Sequence, residues 1–306
     1  MREIIRIVVL LLTVILGAGC STKTATKPQP SKDVKQVQPT KEVKQAEPAK
    51  EVAKAKPADT SSADCADYFD AVMKGKIDQI KMNIEKGCDV NVKNDKGSTP
   101  LIIAIPYRNT EVVKLLLDSG ADTNVENKHS ATALIRAASG GNIEIIKLLL
   151  EKGVDMNYEN KNSETALSKS AGNGRAAAVT TLLDNGADMN YKNKRGSTAF
   201  LTAAFAGKAE IVNLFLEKGV DINQKNKKGN TALISAVQNE KIELVKLLLE
   251  KGADVNIKNK KGDTALMFAE KLQKRIDAGL AKTPDSDFLK KQKINFTEII
   301  EILKAL

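Results

Sequence analysis

One interval dominates this chain: 33 residues. Thr recurs at Thr99, Thr132, Thr165, Thr198, Thr231 and Thr264, and Gly at Gly87, Gly120, Gly153, Gly186, Gly219 and Gly252. An Asp stands two residues after each of these glycines, and Asn recurs at Asn91, Asn124, Asn157, Asn190, Asn223 and Asn256. A fixed period of this length marks a solenoid, in which each unit buries its apolar face only against its neighbours. Inside the units the apolar spacing is helical. EIIKLLLEKG, from Glu144, puts Ile145, Ile146, Leu148 and Leu149 on one stripe and closes on Gly153, which suits a left-handed C-cap. Aromatic residues make up only 4% of the chain and Trp is absent, so the core must be built from Ala, Leu, Ile and Val. That composition favours closely packed helices over an aromatic-centred sheet.

The unit NKKGNTALISAVQNEKIELVKLLLEKGADVN, from Asn226, resembles the ankyrin repeat at nearly every consensus place. The resemblance implies an α-helical ankyrin-repeat solenoid of helix-turn-helix units, with each GADVN segment leading into a β-hairpin finger. The Thr that opens each TAL segment can cap the first helix by accepting a bond from an unpaired N-terminal amide. Leu101, Leu134, Leu167, Phe200, Leu233 and Leu266 are each followed three residues later by a small residue, such as Ala104, Ala137, Ala203, Ala236 and Ala269. Small residues beside large ones let neighbouring units approach.

The array is predicted to fill 64–306 with seven units. The first, 64–93, lacks the TAL cap and reads as an N-terminal capping unit. In the last, GDTALMFAEKL is followed by a second helix, NFTEIIEILKAL, 22 residues later than the period places it. The extra residues, near 273–294, are expected to form a loop or an extended helix pair. The third full unit departs from pattern, with Ser163 for the usual Gly, Ser170 for a small core residue and Thr181 for Leu, so lower local stability is expected there. In the first full unit, Arg108 replaces the Gly that stands at Gly141, Gly174 and Gly207.

Ahead of the array, MREIIRIVVLLLTVILGAGC has two arginines, an apolar run over 7–16 and small residues before Cys20, as a secretory signal does. The run is short of the roughly 20 residues that span a bilayer. Its LGAGC ending resembles the lipobox of bacterial lipoproteins, although Gly17 stands where that pattern has Leu and Leu16 lies one step further away. The resemblance implies removal of 1–19 and attachment of a diacylglyceryl anchor to Cys20. It also implies a periplasm-facing location, with Ser21 pointing to the outer rather than the inner membrane. Residues 20–63 carry SKDVKQVQP, TKEVKQAEP and AKEVAKAKP in succession, each ending in Pro. Proline at that spacing stops a long helix, and the charge leaves little apolar surface to offset ordering entropy, so a disordered tether is expected. With Cys20 lipidated, Cys65 and Cys88 remain as two cysteines in an oxidising compartment. A disulfide between them fits the antiparallel helices of the capping unit, and two half-buried free thiols are the alternative.

Ankyrin proteins usually bind through finger tips and the concave face of the first helices, which the resemblance carries onto particular residues here. Lys128, His129, Lys194, Arg195, Lys227, Lys228, Lys260 and Lys261 occupy the tips and form a basic ridge, on which an acidic protein could dock or which could be no more than solvated charge. Tyr107 and Phe205 are the concave-side aromatics. His129 is the one histidine and no cysteine cluster exists, so no zinc site or Ser-His or Cys-His set can be assembled, and neither catalysis nor a cofactor is expected. The net charge of +10 would suit nucleic acid, but interleaved aromatics are lacking and the compartment is wrong. The expected partners are another envelope protein, which the module would recruit or buffer, and, through the lipid, a membrane; the alternatives are a structural binder of an anionic envelope polymer and a host-directed or surface ankyrin protein, and the chain itself is expected to be monomeric.

Overall fold

The computed structural model describes residue 65 and residues 67–306. The signal sequence expected over 1–19, the lipidation expected at Cys20 and the tether expected over 20–63 lie outside the described residues. The rest is a stack of helix pairs. The inner helices are α1 (Tyr68–Lys74), α3 (Pro100–Ala104), α5 (Ala133–Gly140), α7 (Ala166–Gly172), α9 (Ala199–Ala206) and α11 (Ala232–Gln238). Each is followed by an antiparallel outer helix: α2 (Ile77–Glu85), α4 (Thr110–Asp118), α6 (Ile143–Glu151), α8 (Ala176–Asp184), α10 (Ala209–Glu217) and α12 (Ile242–Glu250). The last pair is α13 (Ala265–Lys282) and α14 (Asp287–Lys304).

The 33-residue Thr sets where each full unit begins. Thr99, Thr132, Thr165, Thr198, Thr231 and Thr264 are all extended N-caps whose Oγ1 accepts the backbone N–H three residues on, at 3.1–3.4 Å. Losing one such cap typically costs about 1 kcal/mol. Stacking then follows from side-chain size. Ala104, Ala137, Ala203, Ala236 and Ala269 are fully buried between successive inner helices, and Leu101, Leu134, Phe200 and Leu233 fill the space beside them. Ser170 sits in the same layer, fully buried, and its hydroxyl is satisfied by donating to the Leu167 carbonyl at 2.9 Å. On the outer helices Ile145, Ile146 and Leu149 are buried, whereas Leu148 is only half-buried against the core.

The fingers are where the structure departs from the expected β-hairpins, since no strand forms among the described residues. Each finger is a tight turn closed on an Asn. In the first, the Asn94 N–H donates to the Ser98 carbonyl at 3.1 Å, while Asn94 Oδ1 accepts from the N–H groups of Lys96 and Ser98, both at 3.0 Å. One backbone bond per arm is too short a ladder to make a strand, and the side-chain amide does the work of the missing bonds. A second Asn ties units together: the Oδ1 atoms of Asn91, Asn157 and Asn223 accept from the next unit's Asp122, Asp188 and Asp254 N–H groups at 2.7, 3.1 and 3.0 Å.

Both ends differ from the middle. Cys65 and Cys88 are joined by a disulfide that spans α1 and α2, with their Cα atoms 5.8 Å apart. Tyr68, beside it, is fully buried and its hydroxyl has no partner among the described residues. Burial, with the Asp89 charge adding to it, holds that phenol far above its ordinary pKa. At the other end, α13 runs through Gln273 to Lys282, whereas earlier units turn at that place with a positive φ, on Gly141, Gly174 and Gly207 and also on Arg108 and Glu240. Pro284 stops it, because the residue before a proline is pushed out of the α region, and Thr283 is indeed extended at φ −135° and ψ 74°. Ser286 then caps α14. Residues 273–294 are therefore mainly the inner portions of a long helix pair rather than a loop. Glu240 holds this pair to the array, its carboxylate accepting from Gln292 Nε2 at 2.6 Å and Asn295 Nδ2 at 2.9 Å, and Lys246 adds an ion pair to Glu298 at 3.0 Å.

Candidate binding surface

The fingers stack side by side, but not uniformly. The Lys128 N–H donates to the Lys96 carbonyl at 3.0 Å, Lys227 to Arg195 at 3.2 Å, and Lys260 to Lys228 at 3.0 Å. No backbone bond of this kind joins the finger of 160–163 to the finger on either side, and the Lys194 N–H turns instead to the Glu159 carboxylate at 3.0 and 3.2 Å. The sequence difference that accompanies this break is small. Finger turns need a positive φ at their fourth residue, normally Gly, and a Cβ placed on Gly196 or Gly229 would lie 2.9 or 2.8 Å from the next finger's donating nitrogen. Ser130 and Ser163 occupy that position at φ 59° and 62° and carry a Cβ that would crowd so close an approach, although at Gly97, where a Cβ would stand 3.4 Å from the Lys128 nitrogen, the bond leaves room for one. Only side chains bridge the gap: Asn160 Nδ2 donates to the Ser130 carbonyl at 2.6 Å and Asn193 Nδ2 to the Ser163 carbonyl at 2.7 Å.

Below that break a groove of about 710 Å³ runs between the finger tips and the inner helices α7, α9 and α11. Helical register explains its floor. Seven residues after each capping Thr stand Pro106, Ser139, Gly172, Phe205, Gln238 and Lys271, and this row faces the concave side. Phe205 is its aromatic member and is 54% exposed. Beside it, Gly172 keeps the floor low, since a Cβ there would already lie 3.2 Å from Thr202 Cγ2. Arg195, Lys227, Lys228 and Lys169 rim the groove against a single carboxylate, Glu164. Glu164 accepts from Lys169 Nζ at 2.7 Å and from Asn160 Nδ2 at 3.1 Å. Burial pushes its carboxyl pKa up, but those two bonds and the Lys169 and Arg195 charges outweigh burial and hold it below the ordinary value.

Of the residues singled out in the sequence, the groove brings together Arg195, Phe205, Lys227 and Lys228. Tyr107 is also solvent-facing, 55% exposed at the end of a short 3-10 turn (Ile105–Tyr107), but it does not line the groove. Lys128, His129, Lys194, Lys260 and Lys261 are exposed on the finger tips outside it. Sequence reasoning missed Lys169, Gly172 and Gln238. Their signal was available in the variable places four and seven residues after the capping Thr, once those places are known to face inward. Among the described residues no group of three His, Cys, Asp or Glu side chains could hold a metal ion, and no helix is long and apolar enough to cross a membrane.

Comparison with known proteins supplies the family context. The family model described as "Ankyrin repeats (3 copies)" matches residues 69–160, 141–226 and 200–278. Among solved structures, the ankyrin repeat domain of Bcl-3, described as a unique member of the IkappaB protein family, is 27% identical. It aligns with a TM-score of 0.58 over 66% of this chain and 92% of its own. The human ASB11 ankyrin repeat domain shares the fold at 24% identity and a TM-score of 0.59, over 66% of this chain and 90% of its own. No curated protein matches the chain.

Proposed function

The chain belongs to the ankyrin-repeat family, and on that premise we propose that it is a non-catalytic module that holds a partner protein against its concave face. Ankyrin repeats are generally protein–protein interaction modules. The observation that carries the reading to this chain is Phe205, an aromatic ring left 54% exposed on the floor of a groove rimmed by cations. Aromatic residues and Arg are enriched where interfaces draw their affinity, and here Phe205 and Arg195 line one groove.

The N-terminal sequence extends the proposal to a place. LGAGC fits lipid attachment at Cys20, and two or more acyl chains hold a protein durably to a membrane. A 20–63 tether behaving as a flexible coil would let the array range over about 35 Å. The module would then face the periplasm and recruit or buffer an envelope protein. The basic ridge of Lys194, Arg195, Lys227, Lys228, Lys260 and Lys261 favours a second reading, a structural grip on an anionic envelope polymer.

Crosslinking in intact cells, followed by membrane fractionation, tests both parts. The native chain should pellet with membranes carrying one crosslinked protein, and Cys20→Ala should release it to the soluble fraction. A Cys20→Ala chain that still pellets removes the lipid anchor. A crosslinked adduct that is polymer rather than protein, and that dissociates steeply as salt rises, favours the second reading.

A further inference from the structure

We infer that the groove beneath the 160–163 finger receives an extended acidic segment of a partner protein, anchored by one apolar side chain against Phe205. This rests on the binding-module reading above and names the chemistry of its occupant. Charge gives the first argument. Arg195, Lys227 and Lys228 make no salt bridge among the described residues, and the one carboxylate in the lining, Glu164, is already held by Lys169 at 2.7 Å. Lys227 and Lys228 have no counter-charge in the lining, and Arg195 shares the single carboxylate of Glu164 with Lys169, so the groove keeps a positive excess complementary to a segment rich in Asp and Glu.

Shape gives the second. Phe205 rises from a floor whose neighbouring row members, Gly172 and Gln238, are small or polar. The hollow beside the ring therefore has room for one apolar side chain rather than a continuous apolar face. Asn162 and Gln238 stand along the groove, and neither side chain is engaged in a hydrogen bond among the described residues. Side-chain amides both donate and accept, as an extended peptide backbone requires.

The third argument is location. The groove opens under the one finger that no backbone bond ties to its neighbours among the described residues, where Ser130 and Ser163 stand in place of the finger Gly. That finger can shift to admit a chain while the fingers on both sides stay bonded.

The test uses the full chain in detergent solution and fluorescence anisotropy with a labelled twelve-residue peptide of alternating Glu and Ser around one central Leu. The same peptide with central Ala, and one with Lys in place of Glu, serve as comparisons. The Leu peptide should bind about tenfold more tightly than the Ala peptide, and the Lys peptide should not bind. Phe205→Ala should abolish the Leu preference while leaving the Ala peptide unchanged. Arg195→Gln with Lys227→Gln and Lys228→Gln should weaken both acidic peptides at least about tenfold, with circular dichroism confirming that each variant is folded. Equal binding of Leu and Ala peptides, no binding of either, or an intact Leu preference in Phe205→Ala overturns the assignment. So does tighter binding of polygalacturonate than of the peptides, or sedimentation showing that a second copy of the chain fills the groove. If the cellular crosslinked protein persists in Phe205→Ala, the groove assignment fails while the binding-module reading stands.

Discussion

Replacing Ser130 by Gly should stabilise the array and close one of its two finger breaks. Ser130 holds φ at 59°, where an L side chain costs roughly 1–2 kcal/mol, and Gly returns about 0.5–1 kcal/mol of this through its greater freedom when unfolded. The hydroxyl makes no hydrogen bond among the described residues, and the backbone carbonyl that accepts from Asn160 is kept. Removing the Cβ also lets the next finger close in, as it does at Gly196 and Gly229, so that the Lys161 N–H can reach the His129 carbonyl. A bond of that kind contributes about 0.5–1.5 kcal/mol. The sum is a gain of about 1–2 kcal/mol, and for an array of this size a rise in Tm of a few degrees. Thermal unfolding followed by circular dichroism measures the first effect, and amide hydrogen exchange at Lys161 the second. The reverse change, Gly196→Ser, should expose the Lys227 amide, whose bond to Arg195 is now 3.2 Å long. A Ser130→Gly chain with unchanged or lower Tm and an unprotected Lys161 amide would refute the claim that one Cβ separates the fingers.

Two further outcomes follow from the ends and the centre of the array. Reduction of the Cys65–Cys88 bond, which closes a loop with a sequence separation of 23, should weaken the capping unit by roughly 3 kcal/mol in the chain-entropy picture. Hydrogen exchange should show this in α1 and α2 alone, and equal protection with and without reductant would contradict it. Acid should loosen the 160–163 finger. For Glu159, burial raises the pKa, but bonds from the Lys194 N–H and the Tyr191 hydroxyl outweigh it, and Glu164 is lowered on balance too. Carboxylates with depressed folded values stabilise above their unfolded pKa of about 4.3 and lose that contribution as pH falls through the folded value. The protection factor of the Lys194 amide, taken against the intrinsic exchange rate at each pH, should therefore fall as pH drops through the depressed Glu159 value, and Glu159→Gln should remove that fall; a native protection factor unchanged by acid would count against it.

How far this architecture was legible in the sequence depends on whether a feature is stated within one unit or made between two. The capping Thr, the small residue at Ala104 or Ala236 and the outer stripe at Ile145, Ile146 and Leu149 are each set by local spacing, and all were readable. The Ser-for-Gly change at Ser163 was also visible, but its consequence was not, because the Cβ matters only through the approach of the next finger's nitrogen. The fingers read as β-hairpins, yet Asn94 and its equivalents close them with side-chain bonds that leave no ladder. Phe205 could be placed on the concave side, whereas its exposure depends on Gly172 in the preceding unit and Gln238 in the next. In the last unit the stop at Pro284 was in plain sight, whereas the run of the helix through Gln273 was not, because Arg108 and Glu240 turn the chain at the same place without a Gly.

The same distinction bears on how the array holds together. A solenoid's stability is approximately a sum of unit terms and nearest-neighbour interfaces, so its weakest joint is set by whichever interface lacks contacts its fellows have. Here the inner helices α5, α7 and α9 pack in register through the centre, and the fingers on either side of 160–163 lack the backbone bond that the other neighbouring fingers share. The scaffold beneath the groove is thus continuous while the wall above it is divided. A continuous interface would fix the width of the groove, and a fully broken one would let the units part. Separating finger from helix at a single Ser leaves the floor that presents Phe205 rigid and gives the rim that carries Arg195, Lys227 and Lys228 a neighbour that can move.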